Sequence, residues 1–135
     1  MKAFSLLALF LLLPPIAEAK SPSADRVWVI IRPKQCLGNP WEKEWLAKHQ
    51  NDGVKYPLKR EDTVIKSFFV KKHIPILDVR LLRYVKGDPI CQACDCPRGD
   101  TLYILINPED VPKMVALGYA ERMPADAVPP KKPKK

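Results

Sequence analysis

Four cysteines dominate the chemistry open to this 135-residue chain, and three of them fall within six residues. The run Cys91-Gln92-Ala93-Cys94-Asp95-Cys96-Pro97-Arg98-Gly99 joins a C-x-x-C to a C-x-C, while Cys36 stands alone far upstream. Closely spaced thiolates on a tight turn can aim several sulfurs at one ion at about 2.3 Å, and Pro97 and Gly99 supply the turn. Cys36, Cys91, Cys94 and Cys96 together would complete a four-sulfur tetrahedron. Such a closed site would be structural or for storage, because catalytic zinc keeps one position open. Zinc is the first choice of ion and Cu(I) the second, as both accept soft donors.

Two disulfides are the competing use of the same four residues, in which case no cofactor is expected. Whichever partner Cys36 takes, the remaining pair must close a bridge inside a six-residue segment. A loop that small removes little unfolded-state entropy, so one of the bridges would stabilise weakly. A third use is thiol–disulfide exchange by the C-x-x-C pair. An attacking cysteine needs a helix N-terminus or positive charge to lower its pKa. Here Asp95 is adjacent and only Arg98 compensates it.

Other reactive side chains have simpler roles. His49 and His73 fall near the ends of predicted helices, where a cationic side chain suits the last carbonyls. Trp41 and Trp45 could stack on sugar rings if exposed, but their spacing of four places both on one helix face, the pattern of a core. The acids Glu42, Glu44, Asp78, Asp95, Glu109 and Asp110 are spread over caps, faces and turns. No nucleophile-elbow, zincin or phosphate-loop pattern occurs, and no enzymatic activity is assigned.

The elements that must position the cysteines read as follows. Residues 26–32, β-branched and aromatic up to Pro33, form a first strand. Asn39-Pro40-Trp41-Glu42 opens a helix, with Asn39 as N-cap, Pro40 at the first turn and Glu42 at the capping-box position. After a loop over 50–59, a second helix opens near Asp62-Thr63 with Val64, Ile65, Phe68 and Phe69 as its apolar stripe, and Pro75 stops it. Alternation over 77–86 predicts a second strand, and 101–106 a third. Asn107-Pro108 leads into a short helix that Pro112 delays and Gly118 ends, with Tyr119–Met123 as a last strand.

This order predicts an α+β, ferredoxin-like split βαβ sheet with helices on one face and a cysteine-rich hairpin loop. A right-handed crossover makes the first two strands parallel. The loop after the first strand and the hairpin between the second and third then share one end of the sheet, where all four thiols converge.

The ends of the chain set the compartment. Residues 1–19 carry Lys2, an apolar run and Ala17-Glu18-Ala19, the pattern of a cleavable signal peptide too short to span a bilayer. Residues 20–125 form one domain, and 126–135 a Pro/Lys-rich disordered tail. Export brings disulfides into play, argues against an iron–sulfur cluster inserted into a folded chain, and makes nucleic acid an improbable partner for a protein of charge +8. An envelope or extracellular partner is expected, with weak attraction of the tail to anionic surfaces and no transmembrane anchor after cleavage.

Overall fold

The structure is a computed structural model that describes residues 26–82, 91 and 93–127. The signal-peptide expectation for residues 1–19 and nearly all of the expected tail lie outside the described residues, as do 83–90 of the predicted hairpin.

Alternation builds a two-sided sheet from strands β1 (Val27–Ile31), β2 (Asp78–Leu82), β3 (Thr101–Ile106) and β4 (Arg122–Pro124). Every neighbouring pair is antiparallel, and the order across the sheet is β2-β3-β1-β4. Since β1 and β2 both oppose β3, they run parallel to each other and are split by it, as the crossover argument requires. The register places Val29 opposite Ile104, with Ile104 also opposite Val79, and sets Leu102 between Ile31 and Leu81. These residues share one face because side chains alternate along a strand. Val29, Leu102, Ile104 and Ile106 are fully buried there.

Three helices supply the other half of the core: α1 (Pro40–Lys48), α2 (Glu61–Lys71) and α3 (Val111–Ala116). Trp41 of α1, Ile65, Phe68 and Phe69 of α2 and Met114 of α3 join the sheet residues in one apolar cluster. The opposite face carries Trp28, over whose ring the Arg80 guanidinium lies at 4.9 Å; Arg80 is also paired with Asp78 two residues away on the same face.

Helix ends account for most departures from expectation. A 3-10 turn over Leu58–Arg60 precedes α2, which therefore starts one residue before Asp62. The same helix stops well short of Pro75 because His73 takes a left-handed conformation, φ 58°. Its amide donates to Val70 O and that of Ile74 to Phe69 O, a Schellman motif with histidine in the seat glycine usually takes. Gly118, φ 89°, ends α3 as predicted, with the amides of Gly118 and Tyr119 bonding Val115 O and Met114 O. Delay by Pro112 takes the form of a 3-10 turn, Pro108–Asp110, ahead of α3. The last strand is shifted to Arg122–Pro124, where Met123 faces Trp28 across the ladder.

Candidate functional site at the cysteine pole

The chain leaving β1 turns sharply through two consecutive left-handed residues, Cys36 at φ 55° and Leu37 at φ 53°. Neither is glycine, so the turn costs roughly 1–2 kcal/mol per residue and needs outside restraint. Restraint comes from the cysteine run. Lys34 pairs with Pro97 as an isolated antiparallel bridge, the Gln35 amide donates to Cys96 O at 2.9 Å, and the Arg98 amide donates to Pro33 O at 2.8 Å. Approach is tight at Gly38, where a Cβ would sit 3.0 Å from Gln35 O and 3.6 Å from Cys94 O. Gln35 also hydrogen-bonds through its side chain to Cys91 O.

All four cysteines meet at this pole, joined as Cys36–Cys94 and Cys91–Cys96. The first bridge spans 58 residues and fastens the loop after β1 to the cysteine run; the second spans 5. This is the two-disulfide use of Cys36, Cys91, Cys94 and Cys96, the alternative to the tetrahedral zinc or Cu(I) site, and a sulfur so bonded carries no thiolate to donate. Among the described residues no group of three or more His, Cys, Asp and Glu is placed to hold a metal. The C-x-x-C pair is likewise not a bonded pair, since Cys94 is bridged to Cys36 and Cys91 to Cys96.

Beneath the bridges lies a charge cluster that sequence reasoning missed. The Arg98 guanidinium donates Nη1 to Glu42 Oε1 at 2.9 Å, Nη2 to Glu61 Oε2 at 2.6 Å and Nε to Asp100 Oδ2 at 3.0 Å. Glu42 and Glu61 are 0% and 2% exposed, so both carboxylates depend on these bonds. The remaining oxygens are also occupied. Glu42 Oε2 accepts from the Asn39 amide and from Asn39 Nδ2, at 2.8 and 2.6 Å. Glu61 Oε1 accepts from Trp41 Nε1 at 3.3 Å and from the Tyr56 hydroxyl at 3.4 Å. Asn39 reaches the other way as well, its side chain closing on the amide and carbonyl of Lys34.

The protonation equilibria follow from this burial. Desolvation raises Glu42 above the ordinary carboxylate range, against its Asn39 hydrogen bonds and the charge of Arg98. It also pushes the Tyr56 phenol well up, with Glu61 and Glu42 adding to the shift. For Arg98 burial opposes the charged form, but the hydrogen bond to Glu61 and the charges of Glu61, Asp100 and Glu42 outweigh it, and the guanidinium is held charged more firmly than usual.

Chemically, the pole is closed. Its sulfurs are paired in disulfides, and the buried carboxylates of Glu42 and Glu61 accept hydrogen bonds on both oxygens. Comparison with family models, curated proteins and solved structures gives no match. Function must therefore be read from the geometry.

Other sequence candidates fall elsewhere. His49 accepts the expected role, its Nδ1 lying 2.8 Å from Trp45 O at the end of α1. His73 acts through its backbone, whose carbonyl accepts from Lys113 Nζ at 2.7 Å. Asp110 is buried and paired with Lys113, Glu44 with Lys71 and Asp78 with Arg80. A signal for the missed cluster existed: Glu42 and Glu61 both fall in first helical turns, and Arg98 follows directly on the cysteine run that the topology brings to those helix starts.

Proposed function

We propose that this chain is an exported recognition module, working in the periplasm or outside the cell, whose cysteines serve architecture and whose role is to bind an envelope or extracellular partner. The observation that carries this is the pairing of all four cysteines, with the 58-residue bridge clamping a strained loop over the Arg98 cluster. Disulfides of this kind persist in oxidising compartments and are rare in the cytosol. The amino-terminal pattern of residues 1–19 supports export, and among the described residues no helix is long and apolar enough to cross a membrane. The Lys-rich end of the chain adds nonspecific attraction to anionic surfaces and does not serve nucleic acid.

The test is thiol titration of protein taken from its native compartment, with peptide mapping. No alkylation before reduction, four alkylated cysteines after it, and the linkages Cys36–Cys94 and Cys91–Cys96 are expected. Four free thiols with about one bound ion would return the cysteines to a metal site. A readily exchanging Cys91–Cys94 bridge would instead mark a thiol–disulfide oxidoreductase.

A further inference from the structure

Helices α1 and α2 leave a groove of about 230 Å3 between them. Its floor is apolar, formed by buried Trp41 and Phe68, and one wall is an aromatic stack. The Trp45 indole lies against the His49 imidazole with centroids 4.0 Å apart and an interplanar angle of 18°. Tyr56 meets the same indole edge-on at 5.5 Å, and the imidazole is tied to Trp45 O. A wall so restrained loses little freedom when a ligand arrives.

The rim is polar and carries both signs. Lys71 of α2 pairs with Glu44 of α1 at 2.6 Å, and Lys48 is exposed one turn beyond Glu44. Two ammonium groups against one carboxylate leave the rim positive. The exposed hydroxyls of Thr63 and Ser67, four apart on α2, add donors and acceptors along one side.

These groups discriminate among ligand classes. An acyl chain or apolar helix would cover the polar rim without satisfying it. A ligand with a carboxylate gains charge-assisted hydrogen bonds from Lys48 and Lys71 that a neutral one does not. Size restricts the occupant to about one ring, since drug-sized ligands need roughly 300–1,000 Å3.

We propose that this groove binds one residue of an acidic polysaccharide, with the sugar carboxylate between Lys48 and Lys71, the ring against the Trp45–His49 stack, and its hydroxyls on Glu44, Thr63 and Ser67. It goes beyond the export reading and depends on it only for where such a glycan is met.

The full-length protein is titrated with tetragalacturonate, and with maltotetraose as the uncharged control, while indole and amide signals are followed by NMR. Tetragalacturonate is expected to shift the Trp45 indole signal saturably, and maltotetraose to bind at least about tenfold more weakly for want of charge-assisted hydrogen bonds. Lys48→Ala should weaken the acidic ligand by about tenfold on the same ground. Ser67→Trp, at an exposed position, should block the groove with the fold intact by circular dichroism. Replacing Lys131, Lys132, Lys134 and Lys135 by serine should leave the Trp45 shift in place.

No Trp45 shift, equal binding of the neutral sugar, or binding indifferent to Ser67→Trp overturns the proposal, as does its loss with the tail lysines. Failure here with fully oxidised cysteines leaves the export reading standing. Free thiols would sink that reading without touching the groove.

Discussion

Replacing Arg98 by methionine removes three charge-assisted hydrogen bonds while keeping most of the side-chain volume. The carboxylates left behind are 0% and 2% exposed, so water cannot take over from the guanidinium. Breaking a buried ion pair from one side costs about 3–5 kcal/mol, a large part of the roughly 5–15 kcal/mol that holds a small domain folded. At about 4–8 °C per kcal/mol, the midpoint of thermal unfolding should fall by at least about 12 °C. Oxidised protein unfolded in guanidinium and followed by tryptophan fluorescence gives the free energy directly. The loss should depend on pH. In the variant the Arg98 charge that favours ionised Glu42 is gone, so Glu42 is raised further above the unfolded glutamate value of about 4.3; the folded state then binds more protons and the deficit shrinks as pH falls toward that value. Wild-type Glu42 already has this sign: burial raises it, so its contribution is complete below the unfolded pKa and is lost as pH rises through the folded one. Adding Glu42→Gln and Glu61→Gln to Arg98→Met should restore part of the stability, since it removes the stranded charges. A cost under about 1 kcal/mol, or one equal at neutral pH and near pH 5, would refute the assignment of Arg98 as the hub.

Other expectations concern the bridges and helix ends. Removing Cys36–Cys94 by paired serines should cost about 4 kcal/mol by loop-closure entropy, and removing Cys91–Cys96 about 2 kcal/mol, because the loops closed differ so much in length; denaturant titration of both variants checks the order. His73→Gly relieves a left-handed histidine without touching the carbonyl that Lys113 uses, and should raise stability by up to about 1 kcal/mol in the same assay. Prolonged treatment with a zinc chelator should leave the unfolding temperature unchanged, whereas a thiol reductant should lower it by several degrees.

Much of the fold was legible because it depends on local patterns. A β-branched and aromatic run ending at Pro33 marked β1, alternation marked β2, the spacing of Ile65, Phe68 and Phe69 marked α2, and Gly118 marked the end of α3. Hand and connection length then sufficed to bring Cys36 to the hairpin cysteines. The end of α2 was misplaced because Pro75 was the visible stop signal, whereas the left-handed turn sits on a histidine that carries no such mark. In the same way β4 was set too early, since Tyr119 closes the cap of α3 before the chain can pair with β1.

The sequence by itself determined that four cysteines would meet at one end of a split βαβ sheet. It left open whether their sulfurs would face an ion or one another, because both outcomes need the same closeness. Tertiary structure decided the matter through the partner of each sulfur: Cys94 is pinned to the left-handed turn at Cys36, which leaves Cys91 and Cys96 for each other. It also decided that Arg98 turns inward to Glu42 and Glu61, since three residues far apart in the chain form one buried cluster only once the helix starts and the hairpin share that pole.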